Sequence, residues 1–143
     1  MRSRDVLTYG YEQIEEAFTR TVEGLEPDDL NRRLQPGANP VGWLAWHLLR
    51  VQDDHVADVA AREQVWTAEG WVERFGLDLD PAATGYGFDG AAVDRVRIPS
   101  VDLLLGYSDA VHARSVEFLR GISADDLQHV GQAAYVRGLL DSD

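Results

Sequence analysis

An all-α fold, a four-helix bundle with a long crossover between its second and third helices, is what this chain of 143 residues predicts. Three observations lead there. Apolar residues recur every three or four positions along three long segments, which is the period of one helix face. Asn39-Pro40 and Ser100 are helix-start residues at the heads of two of those segments. No convincing strand pattern and no internal repeat interrupts them. Residues 1–143 read as one domain, long enough to build a core.

The first helix is expected from Asp5 to about Gly24. Its stripe of Leu7, Tyr11, Ile14, Phe18, Val22 and Leu25 is spaced by 4, 3, 4, 4 and 3 residues, and Glu12, Glu15, Glu16 and Arg20 fall largely off it. Glu26 to Leu30 reads as a short helical turn, and Leu34 to Ala38 as loop because of Pro36-Gly37. The second helix is expected from Pro40, with Asn39 as its N-cap, as far as Trp66. Two stripes run along it. Leu44, Leu48, Val51, His55 and Val59 form the first; Trp43, His47, Arg50, Asp54 and Asp58 form the second, beside it. A polar stripe headed by a tryptophan is not an ordinary solvated face, and it predicts a polar pocket inside or at the mouth of the bundle.

From Thr67 to Ser100 the periodicity weakens. Ala68 to Phe75 reads as a short helix ended by Gly76, followed by Asp80-Pro81, Gly85-Tyr86-Gly87 and Asp89-Gly90. So long a connection in a small domain is usually functional, and this one is expected to close a pocket. The third helix opens with Ser100 as N-cap and Asp102 in its first turn, buries Leu104, Tyr107, Val111 and Phe118, and ends near Gly121. His112, beside that stripe, reads as a structural or surface residue. The fourth helix is expected from Ser123, which with Asp126 has the spacing of a capping box, to about Leu140.

Composition narrows the function. Twenty-five acidic residues against 13 basic ones give a net charge of -12, a surface that repels nucleic acid and anionic membranes. Every basic residue is an arginine, which excludes a lysine Schiff base or a lysine general base. There is no cysteine, so the chain has no thiol nucleophile, thiolate ligand or disulfide of its own. No apolar run approaches a membrane span and the first residues do not resemble a signal peptide. The expectation is a soluble, cytoplasmic protein.

Two places could carry chemistry. His47 sits among Trp43, Trp46 and leucine side chains, either as a satisfied core histidine or as a ligand. Asp125 and His129 are four residues apart, on one face of the fourth helix and about 6 Å apart along its axis. Together with His47 they would offer two nitrogens and a carboxylate to one divalent ion, with a position left open for water or substrate. Zinc is the natural occupant, with nickel or iron as alternatives. The plain alternative is that Asp125 and Asp126 favour the positive end of a helix. Asp54 lies about 10 Å along the axis from His47, too far to share the ion without strain. Asp54 and Arg50 are therefore assigned to supporting the ligands or contacting substrate; Trp43, Trp46, Trp66 and Tyr86 are candidate pocket walls, with simple core packing as the plainer reading of each.

Asn39 to His47, Gly70-Trp71-Val72-Glu73-Arg74-Phe75-Gly76, Gly85-Tyr86-Gly87 and His129-Val130-Gly131-Gln132 resemble the DinB-like superfamily of metal-binding four-helix bundles. Within it the chain is similar to the actinobacterial branch related to mycothiol-dependent maleylpyruvate isomerase. The resemblance implies a metal held by His47, Asp125 and His129, with the acidic ligand at the first position of the last pair, as in that branch. Two features depart from the pattern: aspartate stands in place of glutamate, and the segment Gly121 to Asp125 is short. The resemblance further implies a low-molecular-weight thiol, mycothiol, as cosubstrate, and isomerisation or S-transfer on an electrophilic small molecule. The missing cysteine fits a nucleophile that arrives from outside. A metal-dependent hydrolase with Asp54 as base, a non-enzymatic metal-binding stress-response bundle, and a bundle that has lost its metal are the other readings. A homodimer is compatible with each.

Overall fold

The computed structural model describes residues 3–121, with side chains from residue 5 onward. These residues are helical, with no strand among them. Three long helices, α1 (Ser3–Val22), α3 (Val41–Ala60) and α7 (Val101–Arg120), form the frame. Four short helices lie in the connections: α2 (Pro27–Leu30), α4 (Val65–Ala68), α5 (Trp71–Phe75) and α6 (Gly90–Asp94). The helix expected over Ser123 to Leu140 lies outside the described residues. Helix α7 packs against both α1 and α3, and α4 packs on α3, α5 and α7.

Local chemistry accounts for the starts of α6 and α7. The Ser100 hydroxyl accepts from the Leu103 amide at 3.4 Å and starts α7. Asp89 does the same for α6, accepting from Ala92 N at 2.9 Å. At the head of α3 the N-cap is Pro40 rather than Asn39, and no side chain caps it. The Asn31 side chain serves elsewhere as a fastener. It accepts from Ile98 N at 2.7 Å and donates to Ile98 O at 2.9 Å, tying the first connection to the chain that enters α7. Beneath it, α3 approaches so closely that a Cβ on Gly42 would stand 2.7 Å from Leu30 O.

The expected long second helix is broken. Helix α3 stops at Ala60, and Ala61 takes the left-handed conformation at φ 53°. The chain turns back and restarts as α4. The cause is tertiary: the buried Asp53 carboxylate accepts from Val65 N at 2.9 Å and Trp66 N at 2.8 Å. Those are amides at the start of α4, without partners inside that helix. A straight helix would carry them away from Asp53.

The buried face of α3 also differs from the expectation. Leu44 and Leu48 are 49% and 46% exposed, while Trp43, Trp46, Leu49, Arg50, Asp53, Val56 and Ala57 face inward. The tryptophans supply the larger apolar area, and Arg50 and Asp53 are tolerated because every face they present is met by a partner described below. On α1, Phe18 and Val22 are buried and Tyr11 is half-buried, as is Leu25 just beyond its end, whereas Leu7 and Ile14 are exposed. The α7 stripe holds for Leu104, Tyr107 and Val111. Trp66 joins it to α5 through tilted ring contacts with Phe75 and Tyr107, at 5.0 and 5.1 Å. No described helix is long and apolar enough to cross a membrane.

Candidate functional site

The site is built at the head of α3. Trp43 and His47 are one turn apart on one face. Their rings stack at 4.8 Å with an interplanar angle of 14°. The crossover returns over this face, and His47 Nδ1 lies 2.6 Å from the Thr84 carbonyl oxygen. A carbonyl only accepts, so in the neutral ring Nδ1 carries the proton and Nε2 keeps the lone pair. An imidazole that binds a metal is held in this way, by its other N–H. Gly85 follows with φ +92°, and a Cβ there would stand 2.8 Å from His47 Nδ1 and 3.0 Å from the Trp46 ring. Only glycine meets both the backbone conformation and the close approach.

Arg50 lies one turn beyond His47 and is wholly buried. Its Nε donates to Ala83 O at 3.1 Å and its Nη2 to Pro81 O at 3.4 Å. Its Nη1 donates to Gln64 Oε1 at 2.7 Å and to the Tyr107 hydroxyl at 3.3 Å. The guanidinium also lies 4.9 Å from the Trp66 ring centroid, a cation–π contact. Asp53 Oδ2 stands 3.8 Å from Nη1 and accepts the Tyr107 hydroxyl proton at 2.6 Å. Burial, and next the Asp53 charge, push the Tyr107 hydroxyl well above its ordinary pKa, so it remains a neutral donor. All of Arg50's nitrogens are engaged by the protein. Arg50 stands behind the loop that covers His47.

Asp54 is half-buried and accepts from Gln64 Nε2 at 3.0 Å. Gln64 thus links Asp54 to Arg50. Asp54 borders an open cleft of about 510 Å³, with Asp58, Arg62, Gln64, Asp80 and Pro81 on its walls. Pro81 and Ala82 line this cleft; Thr84 and Gly85, a few residues on, close over His47. The expected polar stripe therefore runs from the buried Trp43 to the exposed Asp58, and a pocket lies at its outer end.

Trp46 is 1% exposed and packs edge-on against Trp66 at 6.4 Å and tilted against Phe88 at 6.3 Å. It is core packing behind His47, as is Trp66. Tyr86 is exposed; its neighbour Gly85 is the residue that meets the ring. Among the described residues no group of three or more His, Asp or Glu side chains is placed to hold a metal ion. Asp125 and His129 lie outside the described residues.

The family model for the DinB superfamily matches residues 11–141. The chain belongs to the DinB superfamily. Among solved structures it is similar to the conserved protein of locus from Enterococcus faecalis, with a TM-score of 0.78 and 22% identity. That likeness covers 100% of this chain and 99% of the other, and shows a shared fold. No curated protein matches the sequence.

Sequence reasoning missed the residues that hold this superfamily member's site together. Asp53 stands three residues from Arg50, a spacing that puts the two on one helix face, but its residue type does not distinguish it from its neighbour Asp54. Gln64 carries no signal beyond residue type, and the helical stripe marks Tyr107 as core without marking its hydroxyl as a partner of Arg50 and Asp53. Thr84 acts through its backbone carbonyl, which no side-chain pattern reveals; only Gly85 beside it marked the turn.

A second titratable cluster joins α1 to α7. His112 Nε2 lies 3.1 Å from Glu15 Oε2. Burial pushes the Glu15 carboxyl up to about 7, helped by its hydrogen bond to Asp109 and by the charges of Asp109 and Glu12.

Proposed function

We propose that this DinB-superfamily chain binds a divalent cation, zinc or else nickel or iron, through His47, Asp125 and His129, and uses it with a low-molecular-weight thiol of the mycothiol type. The observation that carries the reading is the 2.6 Å contact between His47 Nδ1 and Thr84 O, which leaves Nε2 as the basic nitrogen. The donor set suits a borderline-soft ion, and three protein ligands leave one position for a thiol. When bound, the ion would lower the pKa of that thiol so that it reacts as thiolate with an electrophile, in an isomerisation or S-transfer. The chain supplies no thiol of its own. Trp43 fixes one face of the imidazole, and the crossover covers the edge that carries Nδ1.

Elemental analysis of the purified protein, followed by zinc titration of the wild type and of His47→Ala, tests the first step. About one equivalent in the wild type and loss in the variant is expected. No binding by the wild type overturns the reading. For the second step, turnover of electrophiles is screened with and without added mycothiol. Turnover that needs no thiol would point to a water-using hydrolase.

A further inference from the structure

We propose that Arg50 is the positioning residue for His47, acting through the crossover segment Pro81–Gly85. The guanidinium donates to two carbonyls of this segment, Pro81 O and Ala83 O. The next carbonyl, Thr84 O, is the one that receives His47 Nδ1. A path therefore runs from a buried charge, through two anchored carbonyls and one peptide unit of backbone, to a ring nitrogen. Arg50 is itself held on its other side by Gln64, Tyr107 and the nearby Asp53 carboxylate.

The physical argument has two parts. A loop held only by its own turns would let Thr84 O drift, and the imidazole would then take the Nε2–H tautomer as readily as the Nδ1–H form. Anchoring the two carbonyls upstream to a rigid, planar donor fixes where the third one points. Lysine cannot copy this, because one ammonium on a flexible stem does not reach the same spread of acceptors. The partner contacts of a ligating histidine are worth about 10- to 100-fold in metal affinity, and an anchor one step removed should fall near the lower end. The tautomer part stands on the geometry alone; the metal part rests on the reading proposed above.

The experiment records ¹⁵N shifts of the His47 ring at a pH where imidazole is neutral, without metal, in the wild type, Arg50→Lys and Gln64→Met. Val93→Ala, a buried truncation in α6 at the far end of the crossover, serves as a destabilised control. Zinc affinity is titrated on the same samples. The expected result is a pure Nδ1–H form in the wild type and the control. A mixed tautomer and about tenfold weaker zinc binding are expected in Arg50→Lys, with a smaller change of the same sign in Gln64→Met. Should Arg50→Lys not fold, Gln64→Met decides, since it removes one acceptor and keeps the guanidinium. An unchanged tautomer in the folded variant overturns the positioning role, as does a shift in Val93→Ala of the same size. A wild type that binds no zinc but shows the tautomer change overturns the metal reading and leaves the positioning role supported.

Discussion

The buried cluster behind His47 and the cluster on the α1–α7 seam both place carboxyls beside a hydroxyl or an imidazole, yet they behave in opposite ways. Around Asp53 the carboxylate receives two backbone amides and a phenol and stands near a guanidinium. Its charge is met on every side. Around Glu15 the nearest groups include two further acids, Asp109 and Glu12, and its carboxyl is pushed up to about 7. The first cluster fixes geometry; the second responds to pH. What separates them is the supply of donors: α4 and Tyr107 of α7 bring them to Asp53, and the seam brings more acids to Glu15.

The largest effect should come from breaking the first cluster. Asp53→Ala leaves Arg50 without its counter-charge and strands the Val65 and Trp66 amides and the Tyr107 hydroxyl. It is expected to lower stability by about 3–5 kcal/mol in urea denaturation. A loss below about 1 kcal/mol would mean the cluster is not rigid, and the contrast would fail. Next comes Gly85→Ala, which puts a Cβ against His47 and a side chain at φ +92°. A cost of about 1–3 kcal/mol is expected, together with displacement of Thr84 O seen in the His47 ring shifts.

The seam is probed by pH. Because the Glu15 pKa is raised in the fold, the folded state holds this proton where the unfolded chain has lost it. Its contribution is fully present below the ordinary value of 4.5 and is lost as pH rises to about 7, so stability should fall across that window. Glu15→Gln should flatten the slope and gain about 1 kcal/mol at pH 8, a figure reduced for the solvent screening of a half-exposed group. A steeper slope in the variant would contradict the assignment. The smallest effect is expected at the exposed pair of Arg62 and Glu117, 3.2 Å apart. Arg62→Gln should cost less than about 0.5 kcal/mol by thermal melting, and a larger loss would show that charge at the surface matters as much as charge in the core.

Much of this was legible in the sequence. The periodicity of Phe18–Val22 and of Leu104–Tyr107–Val111, the Ser100 cap and Gly76 after Phe75 are local signals, and the helices stand where those signals put them. His47 was singled out by its apolar surroundings, and Gly85 by its turn pattern. The exposed Leu44 and Leu48 and the break at Ala61 were not legible, nor was the engagement of Arg50.

By itself, the sequence determined that the chain is helical, where its long helices begin, and that a turn-rich crossover separates the second from the third. These follow from spacing, caps and glycine conformation, which act within a few residues. Which face of α3 points inward was decided only by the tertiary structure. Arg50 and Asp53 can be buried because acceptors and donors arrive from Gln64, Val65, Trp66, Pro81, Ala83 and Tyr107, 12 to 57 residues away in sequence. A buried charge is stable only where its partners meet it, and that meeting is a property of the packed chain.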